Sequence, residues 1–279
     1  MNELSQFIIN HWTDVVAFLL VLARTSGLVV GAPFWGGASS PRLVRVVLAM
    51  GLGVAVYPFA FRSVGAVGQA EFSLLSLLLA LGREALFGLA IGWASQLLFA
   101  GMRMAGQQME MKMGLGLTQL VDPHDGGQTS LMSALLDLLA SLVFLAVNGH
   151  QLLIRALVSS YQLFPLLGGV SPESIAASAS SSGSLRDVLP VLIGSAGGIF
   201  SIALRVSAPV VVGLLLADVI LGVTSRMVPQ LNLFAVILPV QFAFGLLLLF
   251  LAVPFLVWFC ADQFSMISEH LAMLFGLRQ

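Results

Sequence analysis

The longest stretch of the chain without a charged side chain runs from Met227 to Ala261. A bilayer core of about 30 Å is crossed by about 20 helical residues, so a helix over this stretch is longer than a span. It must either turn back or continue into surrounding protein. Only 9% of the chain is charged, and the mean hydropathy is +1.01. Soluble domains contain about 25% charged residues, so the sequence predicts an integral membrane protein.

The apolar runs and the breaks between them predict an all-α protein of kinked helical hairpins. The predicted helices cover about 12–34, 41–58, 72–104, 129–147, 150–165, 186–225 and 230–275. Pro209, Pro239 and Pro254 each remove a backbone donor, so we expect them to kink the last two helices. The Ser- and Gly-rich stretch 168–184 is typical of a flexible link. These features divide the chain into 1–167, a linker at 168–185, and a long helical hairpin at 186–279.

Charged residues recur inside the other apolar runs. They are Arg24, Asp137, Arg155, Arg205 and Asp218. Each would cost about 2.5–3.5 kcal/mol at the centre of a lipid-exposed helix. Pairing within the chain is not evident, because Asp137 and Arg155 lie at unequal distances from the predicted bend at Asn148. We therefore expect these five side chains, together with Arg226, to contact neighbouring subunits or a water-filled path.

A segment rich in methionine and glycine lies between the apolar runs, from Met102 to about Gly116. Methionine adapts to irregular gaps, and glycine allows the backbone to bend. The segment also carries polar side chains, which need partners in an apolar setting. A packed methionine core is the alternative to a deformable gate, in which Met109, Met111 and Met113 would form the seal. The predicted gate residues are Gly106, Met109, Glu110, Met111, Lys112, Met113, Gly114, Leu115 and Gly116.

Enzymatic chemistry has no support in the sequence. The four histidines lack metal-ligand spacing, Cys260 is the one cysteine, and a net charge of −1 argues against a nucleic-acid surface. We predict no catalytic residue, cofactor or metal. Asp137, His150 and Asp218 leave open a different class of function, a stand-alone secondary transporter or proton channel.

Three blocks of sequence resemble the FliR family of flagellar and type III secretion export-gate proteins (FliR/SctT-like). The first is Arg103–Leu117 followed by Val121-Asp-Pro123, and the second is Phe144–Ile154 with Pro165 downstream. The third runs from Ala208 to Asn232, including Arg226-Met-Val-Pro-Gln-Leu-Asn. The blocks follow in order and span most of the chain.

The resemblance implies a structural and gating subunit of a flagellar type III export gate in the bacterial inner membrane, at the flagellar basal body. It implies a FliP-like part at 1–167, a FliQ-like hairpin at 186–279, and a plug loop at 106–116. The implied partners are about five FliP-type and about four FliQ-type subunits in a helically wound complex, then FlhB-type and FlhA-type subunits, unfolded export substrates and membrane lipid. Glu110 and Lys112 depart from the apolar or amide residues expected of the plug, and could pair with each other or with a neighbour.

Overall fold

Long apolar runs fold into helices throughout the part of the chain that the structure describes. The structure, a computed structural model, describes residues 2–33, 35–36, 41–62, 74–115, 130–164, 166, 185–227 and 233–274. Its helices are α1 (Asn2–Gly31), α2 (Arg42–Arg62), α3 (Leu74–Lys112), α4 (Leu131–Ala146), α5 (Gly149–Leu163), α6 (Leu185–Met227) and α7 (Leu233–Leu274). Within these ranges there is no strand, and the all-α prediction is confirmed.

Two helix ends differ clearly from the sequence-based prediction. α1 begins at Asn2 rather than near residue 12, and α3 continues to Lys112 rather than ending near Met104. Met, Gln, Glu and Lys lose little rotamer freedom in a helix, so residues 105–112 extend α3 in spite of Gly106. The predicted linker at 168–184 lies outside the described residues.

Among the described residues, five helices are long and apolar enough to cross a membrane, as expected of an integral membrane protein. The qualifying segments are Asp14–Gly31, Arg42–Ala60, Leu74–Lys112, Gly197–Thr224 and Ile237–Phe264. The number rises to six if α4 and α5 form one broken span. Their helices are separated at Asn148, whose φ of 57° is left-handed. Asparagine tolerates this conformation better than most residues, in agreement with the bend predicted there.

The described chain forms two compact units that are interleaved along the sequence. Unit 1 comprises 1–96, 148–195 and 266–279, and unit 2 comprises 97–147 and 196–265. The units therefore do not follow the sequence-based division at 168–185. Within unit 2, α6 and α7 pack as an antiparallel pair, since Gly213 lies against Leu248 and Asp218 against Gln241.

In unit 1, α1 and α3 cross at glycines spaced four residues apart. A Cβ placed on Gly92 would lie 2.6 Å from the carbonyl carbon of Gly31, and one on Gly88 would overlap the carbonyl oxygen of Arg24. Gly27 likewise has no room for a Cβ. Small residues at this spacing let two helix backbones touch in apolar surroundings. This four-residue spacing of glycines is visible in the sequence and indicates close helix packing.

A buried ion pair lies beside this crossing. The Arg24 and Glu84 side chains are both 0% exposed, and Arg24 Nε donates to Glu84 Oε2 at 2.6 Å. Arg24 Nη1 donates to Ser160 Oγ at 2.9 Å and Nη2 to the Phe164 carbonyl at 3.0 Å. The guanidinium carbon lies 4.1 Å from the centre of the Tyr161 ring, a cation–π contact. Arg24 thus has its partners within the chain, and these internal contacts satisfy its charge without the neighbouring subunit that the sequence predicted.

Removing the carboxylate should expose how much unit 1 depends on this pair. Glu84→Ala leaves Arg24 buried without a counter-charge, and we expect the free energy of unfolding to fall by about 3–5 kcal/mol. Thermal or denaturant unfolding of the purified protein in mild detergent measures the change. Arg83→Ala is the matched control, because Arg83 contacts the same carboxylate at 3.2 Å from a partly exposed position. Equal losses in the two variants would contradict the assignment.

Candidate functional site

The predicted gate residues lie at the C-terminal end of α3, in unit 2. We call Gly106–Leu115 the Met-Gly segment. Its residues 106–112 are helical, the Met113 amide donates to the Met109 carbonyl at 2.9 Å, and Gly114 follows with φ of 79°. A left-handed glycine is the usual way to end a helix. The plug loop predicted at 106–116 is therefore corrected to two helical turns and a glycine turn, with Gly116 outside the described residues.

The methionines of this segment divide between two environments. Met109 and Met113 are buried within the chain at 0% and 1% exposure, whereas Met111 is 70% exposed. Residues two apart on a helix do not share a face. The three methionines therefore do not share one face of the segment, and a seal formed by all three stays a prediction. Met109 and Met113 anchor the segment, and Met111 is presented outward.

Glu110 caps the following helix. Its carboxylate accepts a hydrogen bond from the Ser130 hydroxyl and another from the Met132 amide at 3.1 Å. Ser130 Oγ in turn accepts from the Ser133 amide at 3.2 Å. A carboxylate at a helix N-terminus meets free N–H groups and the positive end of the dipole. Glu110 is consequently buried at 6% exposure, while Lys112 is exposed, and the two do not pair.

Further contacts hold α3 against α4. A Cβ on Gly106 would lie 2.5 Å from the Ser133 Cα, so only glycine permits this approach. Ser133 Oγ donates to the Arg103 carbonyl at 2.8 Å, and Arg103 Nη1 donates to Asp137 Oδ1 at 2.9 Å. The partner of Asp137 is therefore within the chain, and it is Arg103 rather than Arg155. A contact of Asp137 with another subunit stays a prediction, since its side chain remains 38% exposed.

The opposite side of the Met-Gly segment contacts the helical pair α6–α7. The Ser207 hydroxyl donates to Gln108 Oε1 at 2.8 Å, and Ser207 is buried. Met113 packs on Gly245, where an added Cβ would lie 2.7 Å from the Met113 Cε. The segment is thus held by α4 on one side and by α6–α7 on the other.

The glycine turn itself rests on α7. A Cβ on Gly114 would lie 2.5 Å from Leu238 Cδ2 and 3.9 Å from Gln241 Oε1. Gln241 Nε2 donates to Asp218 Oδ1 of α6. Asp218 therefore also has a partner within the chain, and its contact with another subunit stays a prediction. Gln108 is one of the polar side chains of the segment that were expected to need partners, whereas sequence reasoning missed Ser207 and Gln241, for which a polar residue within an apolar run was the available signal.

The remaining predicted inter-subunit contacts have a different outcome. Arg155 and Arg205 are exposed on α5 and α6, and their side chains make no hydrogen bond or ion pair within the described ranges. Arg226 lies in the last turn of α6, and its side chain is outside the described part of the chain. Contacts of these three arginines with other subunits stay predictions.

The described residues of the site interact through packing and hydrogen bonds. Across the described part of the chain, no group of three or more His, Cys, Asp or Glu residues could hold a metal ion. Cys260 Sγ lies 3.7 Å from Met102 Sδ and is buried, which keeps this thiol away from solvent. What the arrangement provides is a helix end anchored on two sides, with one flexible apolar side chain directed outward.

Comparison with known proteins identifies the family. The family model described as bacterial export proteins, family 1, matches residues 15–267. The flagellar biosynthetic protein FliR of Bacillus subtilis is 31% identical over 94% of this chain and 95% of its own length. FliR of Escherichia coli is 32% identical over 90% and 89%. The surface presentation of antigens protein SpaR of Salmonella typhimurium is 28% identical over 88% and 85%. The chain therefore belongs to the bacterial export proteins, family 1, and its resemblance to FliR is confirmed.

Proposed function

We propose that this protein is a structural and gating subunit of the flagellar type III export apparatus in the bacterial inner membrane. The family match over residues 15–267 and the FliR-named relatives support a role in export. The five helices of spanning length support a membrane location. SpaR is among the same relatives, so the family includes proteins named for the flagellum and proteins named for the surface presentation of antigens.

The gating part of the proposal rests on one observation, the contrast between Met111 and its neighbours. Met111 is exposed while Met109 and Met113 are fully packed, so the base of the segment is fixed and its tip is free. In a pore lined by several subunits, such a tip can fill the gap left by its neighbours. An apolar, unbranched side chain excludes water and adapts to an irregular opening. Unfolded substrates would pass when this tip is displaced.

Assembly with unlike subunits is the second part of the proposal. Arg205 lies in the middle of the apolar segment Gly197–Thr224, and Arg155 projects from α5. An exposed arginine at membrane depth is costly unless it meets an acidic group or water. We infer that carboxylates of neighbouring FliP-type, FliQ-type, FlhB-type or FlhA-type subunits meet these side chains. The FliP-like and FliQ-like division and a ratio of about 5:4:1 belong to the same proposal.

A charge at the tip should break the seal. Met111→Asp places a carboxylate where an apolar contact is needed, so we expect water to enter and the ion conductance of the closed complex to rise. The subunit itself should remain folded, because Met111 makes little contact within the chain. Conductance is measured on membranes that contain the assembled complex. Met111→Leu is the control and should stay tight. An assembled Met111→Asp complex with unchanged conductance would exclude this residue from the seal.

Charge reversal tests the assembly. Arg205→Glu should repel the acidic partner, and we expect loss of neighbouring subunits after purification in gentle detergent. Native mass measurement gives the composition, with Arg205→Lys as the control that keeps the charge. The wild-type protein should purify with unlike subunits in unequal number. A wild-type homo-oligomer would instead favour a stand-alone transporter, and an Arg205→Glu complex of normal composition would remove Arg205 from the interface.

A further inference from the structure

We infer that the gate opens at the seam between α3 and the α6–α7 pair, with α3 and α4 moving as one piece, and that Ser207, Asp218 and Gln241 are the positioning residues that keep it closed. The inference rests on the proposed gating function. It assigns a role to three polar side chains that an export channel does not otherwise require.

The two sides of the Met-Gly segment are held by contacts of unequal strength. Towards α4, the Glu110 carboxylate accepts two hydrogen bonds and Arg103 pairs with Asp137. Charge-assisted hydrogen bonds are roughly twice as strong as neutral ones. Towards α6, the direct polar contact is the neutral bond from Ser207 to Gln108. Separation on the α6–α7 side therefore breaks the weaker set.

On the α6–α7 side, the segment is held by complementary packing, and no ion pair or covalent bond among the described residues joins it to α7. Leu238, Gln241 and Gly245 recur at intervals of three and four residues, so they share one face of α7. Gly114 meets the first two, and Met113 fills the space that the absent Gly245 side chain leaves. Met113 is unbranched and adaptable, so it can repack against α7 when the seam opens, although leaving this space exposes buried apolar surface. The surface can release the turn and accept it again.

Asp218 fixes the orientation of Gln241. A carboxylate only accepts hydrogen bonds, so the Gln241 NH₂ group must face Asp218 and its carbonyl oxygen must face the Gly114 turn. Asp218 and Gln241 thus present a defined polar surface to the turn across the α6–α7 pair. Displacement of α6 against α7 would reorient this amide and remove the support. The pair is a route by which movement of the hairpin reaches the gate.

Loss of the seam hydrogen bond should shift the gate towards the open state. A neutral bond of ordinary strength corresponds to a change of about 2- to 12-fold in the open-to-closed ratio. We expect Ser207→Ala to raise the ion conductance of the assembled complex by a factor in this range. Ser201→Ala is the matched control, since Ser201 is exposed on the same helix. Equal conductance in the two variants would overturn the role of Ser207.

Two substitutions of Asp218 distinguish a positioning role from a proton-carrying role. Asp218→Asn keeps an acceptor for Gln241 and should remain tight, whereas Asp218→Ala removes it and should leak. In a proton channel, Asp218→Asn would abolish the flux. A tight Asp218→Ala complex would exclude the positioning role.

Cross-linking tests the seam directly in the assembled complex. Cysteines at Gln108 and Ser207, in a Cys260→Ala background, can be bridged by a short reducible bis-thiol linker. We expect bridging to stop substrate export and reduction to restore it. A second pair at Arg103 and Asp137 bridges α3 to α4, and linking it should leave export unchanged.

The outcomes separate this inference from the gating proposal. Export that continues across a bridged 108–207 pair, or stops equally at the 103–137 pair, would overturn the seam. If Met111→Asp still leaks in that case, the gate stands and only its opening route is wrong. If Met111→Asp is tight as well, the gating function itself fails.

Discussion

Every buried charge in this apolar chain must be met by a counter-charge or by aligned N–H and O–H groups, and that constraint selects which helices are neighbours. Arg24 is satisfied by Glu84, Ser160 and the Phe164 carbonyl, which ties α1 to α3 and α5. Glu110 is satisfied by the start of α4. Leaving such a charge unpaired in the interior costs several kcal/mol, so alternative helix arrangements are disfavoured.

Backbone shape and charge pairing support each other in unit 1. The glycines at 27, 31, 88 and 92 let α1 and α3 approach until their backbones touch. Arg24 and Glu84 lie about one turn before Gly27 and Gly88, so the close crossing brings the two charged side chains to the same level. A larger residue at the crossing would separate the helices and stretch the ion pair. The ion pair therefore depends on the glycines. In return, the ion pair favours the arrangement in which these glycines of α1 and α3 face each other.

The sequence predicts the positions of the helices better than the contacts between them. Apolar runs bounded by Gly, Pro and Asn define α2, α4 and α5 closely, because burial and turn chemistry act locally. The partners of Arg24 and Asp137 lie 60 and 34 residues away, and helical periodicity carries no information at that distance. The end of α3 differs from the prediction because the helix-forming residues between the glycines outweigh the helix-breaking tendency of Gly106. The same difference places Met111 on another face than Met109 and Met113.

The charged side chains within the apolar helices of unit 2 and α5 are of two kinds, those paired within the chain and those exposed without a partner in the described structure. Asp137 and Asp218 are paired within the chain, so they stabilise contacts inside one subunit. Arg155 and Arg205 project outward without a partner in the described structure, so their cost falls on the isolated subunit and is relieved by neighbours. A gate benefits from this separation. The contacts that hold the Met-Gly segment are internal, and the proposed subunit contacts lie elsewhere, so the proposed opening of the seam would leave the proposed assembly intact.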